Sequence, residues 1–400
     1  MIKMLDENSF KENLETFAFP RLSGTEGEKK ALKIASQKVE DLNLKPITQD
    51  FTFSTYFGRM YPKLAFLLGS MVLFLIYLNY VAFVMLILLI VIGVILGILF
   101  ILALKPEAIN LPKVLNSSNL YIKIGSNLKN GELDTRNNKV IIPKKNILFM
   151  CHLDSKGQRF SILYRIRIIR TWVFSGIIIA VIVIFKNLVF PWFPLIFYII
   201  GIVPIAANLF SAIIFLFNTT DNKSNGAIDN ASGIACVFEL LSYFSKRDAR
   251  LNHYSIWFVF TGAEECGTMG IRNFYQIIKH LNKDETMLFN FDSISKSIYF
   301  FPDNNTSDQI KSIDNMFVRN NKGLVIKRNP KKIPFGSHTD GYYLKKKNFH
   351  GIGFGDLECY EHIHSIHDTV DKVDTSLLKR LCETIINNLI VFDDQIKSKD

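Results

Sequence analysis

Ligand-type side chains recur in five short clusters along this chain of 400 residues. The central cluster runs from Gly226 to Gly233, Gly-Ala-Ile-Asp-Asn-Ala-Ser-Gly, and places the carboxylate of Asp229 in a turn of small residues. Because glycine and alanine let other groups approach closely, a carboxylate in this turn can bridge two cations. The other clusters lie before and after it in the sequence: His152-Leu153-Asp154, Glu264-Glu265, Asp292 and His364. Imidazole and carboxylate ligands in this combination suit zinc with a coordination position open for chemistry.

The paired carboxylates Glu264 and Glu265 follow an apolar segment and precede Gly267. Two adjacent carboxylates repel each other, so beside a metal their roles must differ. One binds the metal, and the other takes a proton from the bound water. On a helix surface the same pair would simply be solvated, but the apolar segment before it favours the metal interpretation.

The remaining clusters each have a plainer alternative. A histidine at a strand end, such as His152, is more often structural, and an aspartate such as Asp292 can cap a turn. Three histidines lie close together near the end of the chain, and their spacing alone does not show which one would bind: His362, His364 and His367. The order and the settings of all the clusters together, rather than any one of them, predict a metal site.

Apolar segments of strand length lead into several of these clusters. Val140–Cys151 is followed directly by His152, Ile256–Thr261 by the loop of the glutamate pair, and Thr286–Asp292 ends on its own ligand. The carboxyl ends of strands are where open α/β sheets place their sites.

Further predicted strands are Pro46–Tyr56, Asn119–Ile124, Leu324–Arg328 and His350–Phe354. Predicted helices are residues 5–20, Thr25–Leu42 with a capping box of Thr25 and Glu28, Ser232–Phe244 and Ser376–Ile396. Alternating strands and helices predict an α/β sandwich.

Two long apolar runs interrupt this pattern. Leu64–Leu104 carries no charged side chain, although 21% of the whole chain is charged. About forty residues at a rise of ~1.5 Å exceed one hydrocarbon core of ~30 Å, so this run predicts two membrane spans with a turn near Asn79. A second run, Thr171–Phe217, is broken by Lys186-Asn187 and predicts another hairpin. Buried core helices are the alternative, but runs this long and uncharged are more typical of membrane spans.

The basic residues predict the orientation of the four spans. Only Lys186 lies in a turn between spans, and the other flanking cations lie at the outer ends of the hairpins: Arg59, Lys63, Lys105, Arg159, Arg165, Arg167 and Arg170. The positive-inside rule then places both termini and the catalytic part in the cytoplasm. Five cysteines without CxxC spacing agree with reduced thiols there.

The net charge of +11 favours a membrane surface over nucleic acid as a partner. Much of the excess charge lies beside the predicted spans, where anionic lipid attracts Lys and Arg. No nucleic-acid motif accompanies it in the sequence.

Taken together, these segments resemble the co-catalytic zinc exopeptidases of the bacterial leucyl aminopeptidase and glutamate carboxypeptidase type. Six motifs in the family's order carry the resemblance: Arg21-Leu-Ser-Gly-Thr-Glu-Gly, His152-x-Asp154, Gly226-Ala-Ile-Asp229-Asn-x-Ser-Gly, Gly262-Ala-Glu264-Glu265-x-Gly, Asp292 and His364-Ser-x-x-Asp368-Thr. The resemblance implies a three-layer α/β/α sandwich with a mixed central sheet. The two apolar runs predict that two transmembrane hairpins interrupt this sandwich. One discontinuous peptidase domain would comprise residues 1–62, 105–170 and 219–400, with hairpins at 63–104 and 171–218.

The resemblance also implies a division of roles in the site. One zinc ion would bind His152, Asp229 and Asp292, and a second would share Asp229 with Glu265 and His364; cobalt or manganese are alternatives. The resemblance further makes Glu264 the general base and Asp154 the residue that orients His152. The α-amine of a peptide would bind near the second metal.

The chain departs from the family in three places. A hairpin separates His152 from Asp229, which lie close in sequence in the family. Ile363 stands where the family has a tyrosine before the final histidine, and Tyr360 and Tyr342 are the candidates to replace it as support for an oxyanion. The segment Ser337–Gly341 resembles a family motif only loosely, so no role follows for it.

The predicted function is therefore that of a membrane-embedded aminopeptidase with its catalytic part in the cytoplasm. Three alternatives stay open: a single-zinc enzyme like glutaminyl cyclase, a catalytically inactive receptor or scaffold on the same fold, and a transporter with a regulatory soluble part. The complete ligand set argues against the first two. The scarcity of ionisable residues in the spans argues against the third.

Overall fold

The computed structural model describes residues 5–78, 83–127, 145–302, 326–328 and 339–397. The chain divides into two compact units. The sheet unit comprises Met1–Thr52, Asn116–Gly157 and Asn222–Asp400, and the helical unit comprises Phe53–Leu115 and Gln158–Asp221. The helical unit thus consists of two segments that interrupt the sequence of the sheet unit.

In the part of the chain that the structure describes, the main sheet has eight strands in the order β1-β2-β6-β3-β7-β10-β8-β9. Its strands are β1 (Ile47–Ser54), β2 (Val114–Ile124), β3 (Lys145–His152), β6 (Tyr254–Thr261), β7 (Thr286–Phe291), β8 (Ile298–Pro302), β9 (Ile326–Arg328) and β10 (His350–Gly355). A separate two-stranded sheet pairs β4 (Gly157–Gln158) with β5 (Thr220–Asp221), where the chain enters and leaves the second apolar segment.

The centre of the main sheet is parallel. Strand β3 pairs in parallel with both β6 and β7, and β7 pairs in parallel with β10. Strands β2 and β8 are antiparallel to their neighbours β6 and β10, so the sheet is mixed. In this register His152 lies opposite Thr261, and the carboxyl ends of β3, β6 and β7 meet at one edge. That edge is where the loops carrying the predicted ligands leave the sheet.

Helices cover both faces of the sheet. The helices of the sheet unit are α1 (Glu7–Phe17), α2 (Glu26–Asp41), α7 (Ser232–Ser245), α8 (Met269–Ile278), α9 (Asp340–Lys346) and α10 (Thr375–Lys397). On one face Leu148 and Met150 of β3 belong to a buried cluster with Phe274 of α8. On the other face Phe149 stacks on Phe244 of α7 at a ring distance of 6.2 Å. Because consecutive side chains of β3 are buried on opposite faces, the predicted three-layer α/β/α sandwich is confirmed.

Among the described residues, the helical unit contains four helices that are long and apolar enough to cross a membrane. They are α3 (Tyr61–Leu78), α4 (Phe83–Leu104), α5 (Ile162–Ile184) and α6 (Pro194–Leu216). Ser161 caps α5 by accepting a hydrogen bond from the amide of Tyr164, so the arginine-rich segment forms the first turns of this helix. The predicted turn at Asn79 lies outside the described residues. The predicted domain boundaries stay predictions.

The structure corrects the predicted capping box of α2. The Thr25 hydroxyl donates to the carbonyl of Leu22, and its side chain caps no helix amide. The Glu28 carboxylate instead accepts from the amide of Gly24, the hydroxyl of Ser117 and the amide of Ala263. Glu28 therefore ties the start of α2 to β2 and to the loop of the glutamate pair, contacts that sequence spacing does not reveal.

The sequence did not predict helices α8 and α9 or strands β4, β5 and β8, and β2 begins before the predicted Asn119. Residues 140–144 of one predicted strand and 324–325 of another lie outside the described residues.

Candidate metal centre

Five loops and strand ends bring the predicted ligands together. His152 is the last residue of β3, and Asp292 directly follows β7. Glu265 lies in a short helical turn after β6, Glu264–Cys266, and Asp229 in the turn Ala227–Ala231 that leads into α7. His364 comes from the segment after β10. Parallel pairing of β3, β6 and β7 is what places residues from distant parts of the sequence at one edge.

The ligand atoms form two groups that share one carboxylate. In the first group the Nε2 of His152 lies 3.1 Å from Asp229 Oδ1 and 3.7 Å from Asp292 Oδ1. In the second the Nε2 of His364 lies 3.0 Å from Asp229 Oδ2 and 3.1 Å from Glu265 Oε1. Within each group one atom per residue lies within 4.8 Å of the others. Asp229 therefore offers one oxygen to each group.

A glycine shapes the turn that carries Asp229. Gly226 has φ +61°, and a Cβ there would lie 2.5 Å from the Cβ of Ser155 and 2.7 Å from the carbonyl oxygen of Asp229. Both the left-handed backbone and the lack of space require glycine. The side chain of Asn230 donates to the carbonyl of Phe291 at 2.9 Å, which fixes the turn against the end of β7.

Asp368 supports the same turn from a distant part of the chain. Its Oδ1 accepts a hydrogen bond from the amide of Ile228 at 2.6 Å, and its Oδ2 from the amide of Asp229 at 3.3 Å. Burial, with the charge of Asp229 adding to it, raises the pKa of Asp368 to about 7. Asp368 lies within the last motif of the family resemblance, but the sequence predicts no role for it. Its spacing of four residues after His364 was the available signal.

Arg21 forms hydrogen bonds with two of the segments that carry predicted metal ligands. The side chain is fully buried and donates from Nε to the carbonyl of Leu153 at 2.8 Å and from Nη2 to that of Gly226 at 3.1 Å. Further donations from Nη1 reach the carbonyls of Phe17, Phe19 and Asn225. A guanidinium can satisfy this many acceptors because its donors have a fixed planar geometry. The opening motif of the sequence thus positions both His152 and Asp229.

The carboxylate of Asp154 mainly organises the glutamate loop. It accepts from the amides of Glu264 and Glu265, each at 3.1 Å, and from the hydroxyl of Ser23. The Nδ1 of His152 lies 3.0 Å from the backbone oxygen of Asp154 and 3.4 Å from its Oδ1. The resemblance implies that Asp154 orients His152 through this ring nitrogen. Both oxygens of Asp154 are near enough to do so, and the backbone oxygen is the nearer one.

The two adjacent glutamates differ in their electrostatics. Burial, with Glu265, Asp340 and Asp292 adding to it, raises the pKa of Glu264 well above its usual range, although His152 opposes this. Burial also disfavours ionisation of Glu265, but His364 and Lys156 outweigh it and lower the pKa of Glu265 to about 2. The Nζ of Lys156 lies 2.6 Å from Glu265 Oε2. Environments that separate the pKa values of two carboxyl groups give them different roles in acid–base chemistry.

The cluster fits a bound cation. Within the described part of the chain, Asp229 Oδ1 and Glu265 Oε1 are buried side-chain oxygens without a hydrogen-bond partner. Each lies 3.1 Å from an imidazole nitrogen, but without hydrogen-bond geometry. Burial opposes protonation of His152, yet the carboxylates of Asp154, Asp229 and Asp292 outweigh it and raise the pKa of His152 well above its usual range. Two imidazoles and three carboxylates, of which Asp229 and Glu265 each have an unmet acceptor, are a donor set for zinc.

Comparison with known protein families finds one match, over part of the chain. Residues 208–389 match the model of Peptidase family M28. This match covers α7, the glutamate loop, Asp292 and His364, whereas His152 lies before it. No curated protein matches the chain in sequence.

Solved structures share the fold over almost the whole chain. An aminopeptidase from Aneurinibacillus sp. strain AM-1 has a TM-score of 0.56 at 12% identity, covering 97% of this chain and 94% of that one. BSAP, a zinc aminopeptidase from Bacillus subtilis, has a TM-score of 0.52 at 11% identity, with 97% and 95% covered. A glutaminyl cyclase from an Acidobacteriales bacterium has a TM-score of 0.54 at 12% identity, with 99% and 97% covered.

These matches confirm the resemblance to zinc exopeptidases and the α/β fold that the motifs imply. At such low identity the solved structures establish the fold alone, and they include both aminopeptidases and glutaminyl cyclases.

Proposed function

We propose that this protein is a membrane-embedded, zinc-dependent aminopeptidase that removes N-terminal residues from peptides. The observation that carries the proposal is the position of Asp229, whose two oxygens lie 3.1 Å from His152 and 3.0 Å from His364. A carboxylate shared between two ligand groups is the arrangement that a two-metal hydrolase needs. A single-zinc cyclase would need only one of the groups, so the geometry favours the peptidase.

Each ligand group would hold one zinc ion. His152, Asp229 and Asp292 would bind the first, and Asp229, Glu265 and His364 the second; cobalt or manganese would suit the same ligands. A bound metal pair would supply an activated water and polarise the scissile carbonyl.

Glu264 would accept the proton that the attacking water loses and return it to the leaving amine. Its raised pKa suits a group that must bind a proton during each turnover. Asp154 would keep Glu264 in place through the backbone of the glutamate loop, because its carboxylate accepts from the Glu264 amide at 3.1 Å.

The membrane part of the proposal is supported by the four long apolar helices. The outer ends of the hairpins carry nearly all the adjoining cations, which would place the termini and the metal site in the cytoplasm. The substrates would be peptides at or near the bilayer, with no role for nucleic acid.

Metal content and hydrolysis test the proposal together. The detergent-purified chain should bind about two zinc ions and hydrolyse aminoacyl p-nitroanilides. Asp229→Ala should lose most of the zinc and all measurable activity, because both groups lose a ligand. About one zinc per chain, with cyclisation of N-terminal glutamine, would establish the cyclase instead. No zinc binding after zinc is added would establish the inactive scaffold.

Asp393→Asn is the matched control. Asp393 is also a buried aspartate, but it accepts from the amides of Asn252 at 2.7 Å and His253 at 2.9 Å, away from the metal ligands. This variant should keep both zinc ions. If it loses zinc as Asp229→Ala does, the loss reflects general unfolding and the assignment of Asp229 fails.

A further inference from the structure

An open groove lies between α5 and α6 within the helical unit. Its volume is about 520 Å³. Its lining comprises Arg167, Arg170, Thr171, Phe174, Ser175 and Ile178 from α5 and Ile200, Val203, Pro204 and Ala207 from α6. We propose that this groove binds one anionic phospholipid, with the phosphate on Arg167 and Arg170 and an acyl chain along the apolar residues. The inference rests on the membrane placement proposed above.

The basic end of the groove offers two guanidinium groups for a phosphate. Arg167 and Arg170 are three residues apart on α5, so they project from the same side of the helix, and both are exposed. Neither forms an ion pair or hydrogen bond with another residue in the described parts of the chain. Two neighbouring cations without protein carboxylates are suited to a charged headgroup, which arginine binds in a bidentate manner.

The rest of the groove is suited to a hydrocarbon chain. Phe174 and Ile178 continue the face of Arg170 at intervals of four residues, and they face Ile200 and Val203 of α6. These four side chains are exposed, by 50% to 74%. The floor contains Ser175, whose hydroxyl donates to the carbonyl of Thr171 at 2.6 Å and thus needs no ligand. An apolar channel with charge at one end matches an amphiphile rather than a soluble anion.

The length of the groove matches one leaflet. From Arg167 to Ile178 the helix rises about 16 Å at roughly 1.5 Å per residue, which is about half of a hydrocarbon core of ~30 Å. A headgroup at the arginines would therefore lie at the membrane surface, and its acyl chain would end near the midplane.

Small residues create the space for the chain. Pro204 and Ala207 lie on the groove side of α6, where bulkier side chains would fill it. Proline also lacks an amide hydrogen, so the carbonyl of Ile200 loses its usual intrahelical donor, which weakens the helix at this point.

Lipid binding by the intact chain tests the proposal. The zinc-loaded protein, delipidated in detergent, is titrated with dioleoyl phosphatidylglycerol or with dioleoyl phosphatidylcholine, and bound lipid is counted by native mass spectrometry. We expect one phosphatidylglycerol per chain in preference to phosphatidylcholine. The double variant Arg167→Gln/Arg170→Gln should weaken this binding about thirtyfold, since each cation near a membrane surface contributes roughly a fivefold factor. Equal binding of the two lipids, or unchanged binding by the double variant, would overturn the proposal.

Two matched pairs of variants distinguish an effect on the groove from general effects of removing charge or adding bulk. Lys105→Gln/Lys113→Gln removes the same charge from exposed positions outside the groove and should leave binding unchanged. Val203→Trp should abolish binding by filling the groove, whereas Ile202→Trp, on an exposed position outside it, should not. Equal loss in both members of either pair would overturn the groove as the site. Displacement of the lipid by inorganic phosphate or by an amphiphilic peptide at equal concentration would overturn a lipid as its occupant.

Separate measurements distinguish this proposal from the proposed function. Hydrolysis of soluble aminoacyl p-nitroanilides should be unaffected by these variants, because none lies among the metal ligands. A chain that hydrolyses these substrates but retains no lipid would refute the lipid site alone. Release of the chain from membranes by alkaline carbonate would refute the membrane placement on which it rests.

Discussion

Two buried polar clusters in this protein differ in how completely their hydrogen bonds are made. The bundle polar cluster, in the helical unit, consists of Ser70, Trp172, Ser175 and Asn208. The metal-ligand cluster, in the sheet unit, consists of His152, Asp229, Glu265, Asp292 and His364. Both combine buried and half-buried side chains, yet only the first forms all of its hydrogen bonds within the protein.

In the bundle polar cluster, both polar atoms of the Asn208 side chain have hydrogen-bond partners. Its Oδ1 accepts from Ser70 Oγ at 2.7 Å, and its Nδ2 donates to the carbonyl of Trp172 at 2.8 Å and to Ser175 Oγ at 3.1 Å. The indole of Trp172 donates to Ser70 Oγ at 2.8 Å. Such a network holds helices together and needs nothing further.

The metal-ligand cluster has acceptors left over. Among the described residues, Asp229 Oδ1 and Glu265 Oε1 are buried without hydrogen bonds, and leaving such atoms unmet costs roughly 1–3 kcal/mol each. A folded protein tolerates this where a ligand completes the site. Buried polar atoms without a partner also occur elsewhere in the described residues, for example in Asn388. The comparison therefore teaches that unmet acceptors mark a candidate site when they lie beside other metal-ligand atoms, as they do here.

The largest expected effect separates the two glutamates. Glu264→Gln should lower kcat by about a thousandfold, as loss of a general base does, while the zinc content stays at its wild-type level. Glu265→Gln should instead lower the zinc content, because its Oε1 belongs to a ligand group. Elemental analysis beside steady-state kinetics measures both. Equal zinc loss in the two variants would mean that the roles of the pair are not divided.

Glu239 in α7 is intermediate between the two clusters. Its carboxylate is buried, but its Oε1 accepts a hydrogen bond from Asn13 Nδ2 at 2.8 Å. Burial raises its pKa from 4.5 to about 7. A carboxyl group with a raised pKa in the folded state stabilises the fold most below its unfolded pKa, and this contribution is lost as the pH rises through 7. Between pH 4.5 and 8, wild type should therefore lose at most about 3 kcal/mol of unfolding free energy relative to Glu239→Gln.

Thermal unfolding of both proteins over this pH range measures the difference. Glu40→Gln, which replaces an exposed carboxylate in α2, should follow the wild-type curve. If the stability of Glu239→Gln changes with pH in parallel with that of wild type, Glu239 does not retain a proton in the folded state.

Arg21→Lys sharpens the comparison by removing hydrogen bonds around the metal-ligand cluster while keeping the charge. One ammonium group cannot donate to the carbonyls of both Leu153 and Gly226 together with the others that Arg21 reaches. Zinc affinity, measured by competition with a chelator, should fall about 10- to 100-fold, as for other groups that orient metal ligands. Arg247→Lys, at an exposed position, should bind zinc normally. Unchanged affinity in Arg21→Lys would remove its positioning role.

The smallest effect is expected for a substitution in the bundle polar cluster. Asn208→Ala should destabilise the detergent-solubilised chain by about 1–2 kcal/mol, since hydrogen bonds between apolar helices contribute roughly 0.6 kcal/mol each. Zinc content should not change. Phe210→Ala, at an exposed position of α6, should have a smaller effect on unfolding by SDS. A loss of zinc in Asn208→Ala would break the distinction between the two clusters.

Much of the sheet and of the site could be predicted because local patterns encode them. Apolar runs marked β3, β6 and β7, and ligand-type residues followed each of them. The Gly226–Gly233 turn was recognisable because only small residues allow such close packing. Helix α8 was missed because no motif led to its residues, and the capping box at Thr25 was wrong because Glu28 meets tertiary partners instead.

By itself, the sequence determined which residues could bind metal, their order and the presence of two long apolar segments. Hydropathy and spacing are local properties, so they can be read along the chain. Tertiary structure alone decided that Asp229 presents one oxygen to each histidine, that Arg21 lies beneath both ligand segments, and that Asp368 holds a turn 140 residues away. Those facts depend on contacts between distant residues, and the parallel pairing of strands together with the packing of the loops at one sheet edge brings such residues within hydrogen-bonding distance.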